Sequence, residues 1–214
     1  VESVVEHYLA LFEAQGSPAD LTEHFAEPIS AAMHAYVLGI PDEDFDEWYR
    51  LFVHQAPAVE RVAFMRQVVD KKPQHLGHDL LSSLIEQSIP REHIVGLFGV
   101  VSLSGRDSVA YMISTSTHGL LNHPEQWAAL RDDPELMSPA IEELVRYGTL
   151  FLGLFPRTAT EDVEHDGIHI HAGQSVTVSA VAANRDPERF SDPDQLDIHR
   201  DARGHVGFGH GLHS

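Results

Sequence analysis

Apolar residues recur at helical spacing over most of the first 150 positions and give way to alternation only near the end of the chain. In residues 2–15, Val5, Leu9 and Phe12 share one face, and Gly16 ends the run. Ser17-Pro18-Ala19-Asp20 reads as an N-cap, a proline in the first turn and an acid at the third position, which predicts a second helix from 20 to about 38. Gly39-Ile40-Pro41 then turns the chain into the acidic, aromatic segment DEDFDEWYRLF. From about 54 to 78 the periodicity is weak and is interrupted by Pro57, Pro73 and Gly77, with a short helix expected over 76–85.

The rest of the chain is built around residues 90–121, a mostly apolar stretch with Gly105, Arg106, Asp107 and Ser108 at its middle. A long core helix is expected there, either bent at its polar centre or lined up against something that needs the room. Pro124 restarts a helix, Asp133-Pro134 breaks it, and Ser138-Pro139 caps the next, AIEELVRY. From Phe155 the period becomes two. VEHDGIHIHAGQSVTVSA reads as a hairpin with Asp166-Gly167 and Ala172-Gly173 at its turns and a second strand over 175–180. The closing stretch, punctuated by Pro and Gly, is expected to be irregular. The fold class is therefore mainly α with a small β part.

Composition narrows the partners. The 214 residues are 43% hydrophobic and bury a real core, read as a single domain over 1–214. Thirty-three acidic against 14 basic residues, a formal charge of -19, argue against nucleic acid or an anionic membrane surface. No signal peptide opens the chain and no apolar run reaches membrane-span length, so a cytoplasmic protein with no membrane contact is expected. The 214 residues contain no cysteine, which removes disulfides, thiolate ligands and thiol nucleophiles from consideration.

Four groups carry candidate chemistry. Glu143 and Arg146 lie three apart on one helical face. Spacing alone suggests an exposed pair worth a few tenths of a kcal/mol; a buried version needs a further partner, for which Arg189 is a candidate. The terminal GHVGFGHGLHS surrounds His205, Phe208, Gly209 and His213 with glycines, either as a flexible tail or as backbone approaching a ligand closely. His199, His205, His210 and His213 match no closed zinc spacing, so no metal ligand is assigned there. His165, His169 and His171 form another cluster, the latter two on one face of a strand, as an adventitious metal site or solvent-facing residues. Asp107-Ser108 pairs an acid with an alcohol, a possible proton relay or simply a solvated turn.

Taken together, Glu143-Leu-Val-Arg146, Pro156-Arg157, the run AANRDPERF and the terminal FGHGLHS resemble the ordered motifs of a bacterial cytochrome P450. The resemblance implies a partial P450 fold organised around a long central I-type helix, with the family's N-terminal lobe, axial cysteine and following helix absent from these residues. It implies haem b, with Arg157, His205 and His213 donating to propionates and with Phe208 and Gly209 in the loop beneath the ring. Asp107 and Ser108 would deliver protons, and Gly105 would leave room for oxygen. Leu154 and Phe155 stand where substrate-contacting side chains project, and Glu143, Arg146 and Arg189 look like the family's buried ion cluster.

The activity implied is that of a haem monooxygenase, or a fragment of one. It would hydroxylate a small organic or natural-product substrate with O2 and electrons from a ferredoxin-type donor. In the family pattern the axial cysteine follows the position of Ser214, and Ser104 and Ser108 replace the usual alanine and threonine. As it stands the chain is not expected to be catalytic. The alternative is a haem-free P450-like auxiliary or scaffold protein with a protein partner, for example a glycosyltransferase activator, or a small-molecule binder without oxygenase activity.

Overall fold

The computed structural model describes residues 2–150 and 155–211. They form two compact units, Val1–Ser114 and Thr115–Ser214. In the first, α1 (Glu2–Gln15) stops at Gly16, whose φ is 77°. The expected cap at Ser17 is not used. Asp20 takes that role instead, its Oδ1 accepting from the N–H groups of Thr22 (2.8 Å) and Glu23 (3.0 Å). A π-helical turn, Thr22–Ala26, then leads into α2 (Glu27–Leu38). Gly39, at φ 85°, ends α2 in the left-handed conformation and returns its N–H to Ala35 and Tyr36.

The acidic aromatic segment forms α3 (Phe45–Phe52), which buries Trp48, Leu51 and Phe52 on one face. The stretch with weak periodicity holds α4 (Ala58–Lys71), with Phe64, Met65, Val68 and Val69 buried. Its apolar stripe is narrow: Glu60 and Arg66 flank it, and the half-buried Arg61 falls within it. α5 (Leu80–Glu86) begins four residues later than expected, because Asp79 caps it by accepting from Ser82 N–H at 2.9 Å. α6 (Arg91–Leu121) is one continuous helix of 31 residues. Its Phe98 joins the buried cluster that holds Trp48, Phe52 and Leu81, and stacks on Phe52 at 6.2 Å. Each such side chain contributes about 1.5–3 kcal/mol by leaving water.

In the second unit α7 (Pro124–Asp132) follows the expected restart. Asp133 Oδ1 accepts from Glu135 N–H and opens a 3₁₀ turn, so α8 (Met137–Tyr147) already contains Ser138, which is not its cap. Four short strands make two antiparallel pairs: β1 (Arg157–Thr158) with β4 (Ser175–Val176), and β2 (Val163–His165) with β3 (Ile168–Ile170). Asp166 and Gly167, at φ 50° and 78°, turn the β2–β3 hairpin as predicted. The last strand ends at Val176, short of the expected 180, because Ser179 accepts from Ala182 N–H and starts α9 (Ala180–Ala183). From there to Gly211 the chain is irregular.

Candidate functional site

The centre of α6 neither breaks nor opens. A Cβ built on Gly105 would lie 2.1 Å from His34 Cε1, so the space beside this glycine belongs to the His34 imidazole. His34 Nε2 donates to the Val101 carbonyl at 2.8 Å, and Ser30 Oγ donates to the Arg106 carbonyl at 2.7 Å. Burial, chiefly, and the Arg106 cation push the His34 imidazole below its ordinary pKa, against the Val101 hydrogen bond. Arg106 is buried and reaches Asp107 at 2.6 Å, while the Asp107 side chain is 66% exposed. Ser108 Oγ donates back to the Ser104 carbonyl at 3.2 Å. On the same helix Leu97, Val100 and Leu103 expose 45%, 65% and 49% of their surface.

The second unit is organised by Glu143 and Arg146, both fully buried. Arg146 Nε and Nη2 meet the two carboxylate oxygens at 2.6 and 2.8 Å. Arg146 also donates to the carbonyls of Asn184 (2.7 Å), Pro193 (2.8 Å) and Gln195 (3.3 Å). The second guanidinium on Glu143 is that of Arg200, at 3.2 Å, and not Arg189. Arg189 instead donates to the Arg203 carbonyl and lies over Phe190. Asn184 bridges Thr149 Oγ1 (2.8 Å) to Val206 N–H (2.7 Å), tying the terminal loop to α8.

That loop is held close. Gly207 N–H donates to His205 Nδ1 at 3.0 Å, so the ring proton sits on Nε2, which faces Glu142 Oε2 at 2.9 Å. Both ring nitrogens of His205 are therefore engaged within the chain. A Cβ on Gly207 would lie 2.5 Å from Val145 Cγ1, so only glycine lets the loop approach α8 this closely. Phe208 contacts the His205 ring at 5.6 Å and remains 67% exposed. Gly209 has φ 86°. Arg157 is exposed and donates to the Phe155 carbonyl at 3.1 Å. Phe155 is 77% exposed. His213 and Leu154 lie outside the described residues.

Two further features remain: a cavity that was not foreseen, and the expected histidine cluster of the hairpin, with Asp162 in place of His165. In the first unit a cavity of about 750 Å³ is lined by His7, Tyr8, Tyr36, Phe45, His75 and His78 among others. Lys72 and Asp79 pair at 2.8 Å at its wall. On the hairpin, Asp162, His169 and His171 bring three donor atoms within 4.8 Å of one another. Among the described residues this is the one group of three or more metal-ligating side chains close enough to share an ion. Also among them, no helix is long and apolar enough to cross a membrane.

A mainly helical chain with a long central helix, a buried Glu-x-x-Arg pair and a glycine-histidine loop defines a P450-type architecture. The family model for cytochrome P450 matches residues 126–213. The chain is 37% identical to pentalenic acid synthase of Streptomyces avermitilis, covering 100% of this chain and 56% of that protein. It is 34% identical to the monooxygenase PikC of Streptomyces venezuelae, covering 100% and 55%. Among solved structures, the ligand-free monooxygenase TamI superposes with a TM-score of 0.89 at 28% identity, over 99% of this chain and 56% of that one. A MycG variant with mycinamicin V bound gives 0.88 at 31%, over 99% and 58%. The chain belongs to the cytochrome P450 family, and it spans a little over half the length of the relatives it matches.

Membership does not carry the oxygenase with it. The expected haem monooxygenase, with its haem b, iron and metal-binding character, is corrected by the donor set. The 214 residues hold no cysteine to supply the thiolate that favours O–O cleavage. The one metal-capable group among the described residues lies on the hairpin and includes none of the residues assigned to haem. The residues present do not fit a thiolate-ligated haem, and the chain as it stands is not a competent P450 monooxygenase.

Proposed function

We propose that these residues act as a haem-free P450-type auxiliary module, one that binds a partner and carries out no oxygen chemistry. The observation that carries this reading is the face of α6 formed by Leu97, Val100 and Leu103, three large aliphatic side chains about half exposed in a row. At three-residue steps they span roughly 120° of the helix, an apolar stripe of the width that normally meets another surface. The charge of -19 disfavours nucleic acid and anionic membranes as that surface. Relatives are named for pentalenic acid and nocardicin C. The partner proposed is accordingly an enzyme handling an organic metabolite, such as a glycosyltransferase.

The test is thermal unfolding of the purified chain with and without haemin. A cooperative transition that haemin leaves in place is expected, with no thiolate-type spectrum in the reduced carbon monoxide complex. A ligand at 100 times its Kd adds about 2.7 kcal/mol to a native state it binds specifically. A rise in Tm of that size on adding haemin overturns the haem-free reading.

The cavity in the first unit favours a second reading, a small-molecule binder. Its volume of about 750 Å³ falls in the range of about 300–1,000 Å³ usual for ligand sites. Filling it with Ala32→Trp is expected to abolish any ligand-dependent rise in Tm. A rise that persists in the variant removes this reading.

A further inference from the structure

We propose that Asp162, His169 and His171 form a binding site for a zinc-class divalent cation on the β2–β3 hairpin, separate from any haem chemistry. The hairpin register pairs Val163 with Ile170 and Glu164 with His169. One residue further out, Asp162 stands opposite His171, and the two histidines, two apart, share a face of the strand. Their rings lie 4.4 Å apart at 73°.

The carboxylate is already oriented. Asp162 Oδ1 accepts from Ala172 N–H at 2.8 Å, which leaves Oδ2 turned to the imidazoles. Oδ2 lies 3.5 Å from His169 Nε2 and 3.4 Å from His171 Nδ1. Zinc bonds to nitrogen and oxygen of about 2.0–2.1 Å in a tetrahedron put neighbouring donors about 3.3–3.4 Å apart. The observed carboxylate-to-imidazole spacings are therefore close to the edges of a zinc polyhedron before any ion enters. The backbone behind them is fixed by His171 N–H donating to Gln174 Oε1 (2.7 Å) and by Gly173 N–H donating to the Ala159 carbonyl (2.8 Å).

Two imidazoles and one carboxylate suit zinc and its first-row neighbours better than calcium or magnesium, which prefer all-oxygen shells. All three side chains are more than half exposed, which leaves an open approach for the ion and water for a fourth position. Glu164, on the same face opposite His169, adds negative charge beside the site. Bound there, the ion would clip the start of β2 to the end of β3 and stiffen a hairpin whose residues are mostly exposed.

Calorimetric titration of the metal-stripped chain with zinc chloride tests the proposal. One equivalent is expected to bind, with affinity falling at least tenfold in each of Asp162→Asn, His169→Ala and His171→Ala. His165→Ala, on the same hairpin but paired with Asp166, is expected to bind as the parent does. The Cu²⁺ complex should show hyperfine coupling to two imidazole nitrogens and lose one in each histidine variant. These exposed side chains can be replaced without loss of fold, which circular dichroism checks. Unchanged affinity or unchanged hyperfine coupling in His169→Ala and His171→Ala overturns the proposal, as does an equal loss in His165→Ala.

Discussion

The two compact units are stabilised by opposite means. The first closes on side chains with no polar atom to satisfy or only one: Trp48, Phe52, Phe98, Leu38 and Leu81 are almost wholly buried. The second has a small apolar cluster, Leu120, Ala140, Leu144, Leu196 and Ile198, and its largest fully buried side chain is Arg146. The cause lies in what each must fold. Periodic helices bring apolar faces of their own. The irregular stretch after α9 has no periodic face; it buries Phe190, Leu196 and Ile198 one by one, and one guanidinium reads the carbonyls of Asn184, Pro193 and Gln195. Apolar contact is non-directional and tolerates exchange of shape, whereas a buried bidentate ion pair is directional and leaves a charge behind when one member goes.

Three substitutions probe that contrast, each read from the midpoint of urea unfolding. Glu143→Ala strands the buried Arg146 and Arg200 and is expected to cost about 3–5 kcal/mol. Arg146→Lys keeps the charge but loses the fork that spans both carboxylate oxygens, for about 2 kcal/mol or more. Phe98→Leu, equally buried, is expected to cost less than about 1.5 kcal/mol after repacking. If Arg146→Lys costs no more than Phe98→Leu, the second unit is not organised by its ion pair and the comparison fails.

What the sequence announced was local. The long helix around residues 91–121, the Asp166-Gly167 turn, the proline restart at 124 and the ordered P450 motifs are all written in short spacings. The misses depend on which distant segment arrives. Arg200 reaches Glu143 across 57 positions, and neither spacing nor composition ranks it above Arg189. His34 meets the Val101 carbonyl across 67 positions, so Gly105 could be read as a gap while its occupant went unnamed. Asp162 joins His169 and His171 because the strand pairing puts it opposite them, where the sequence suggested His165. α4 was missed for a different reason. Its buried residues form two adjacent pairs one turn apart, and the charged residues around them blur the period.

Gly105 shows that directional fit also occurs inside the apolar unit. In Gly105→Ala the new methyl meets His34 at 2.1 Å, so the imidazole must swing away from Val101. The expected cost is about 1–3 kcal/mol, the range for overpacking a filled site. Because the strain needs both partners, His34→Ala in the same chain should recover most of it, and the double-mutant cycle should show clear coupling. Additive costs would mean that the glycine serves the α6 backbone and not its neighbour.

The smallest effect expected is a pH dependence at the same contact. His34 is held below its ordinary pKa first by burial and then by the Arg106 cation, with the Val101 hydrogen bond opposing. The unfolded chain takes up the proton near the ordinary value of about 6.5, while the native state takes it up only at lower pH. Between those two points the unfolded state binds more protons, so stability falls as pH falls; below the native pKa the loss is complete and levels off. Falling pH also reduces the net negative charge of -19, which by itself favours the compact state. The two trends oppose each other, and a single pH titration cannot separate them. His34→Gln shares every other group, so the difference between the two chains isolates the imidazole. The advantage of the parent over the variant in urea midpoint is expected to shrink from about pH 7.5 to about pH 5.5, on either side of the ordinary value. An advantage that is constant or grows over this interval means that His34 charges freely in the native state, and the space beside Gly105 is then wet.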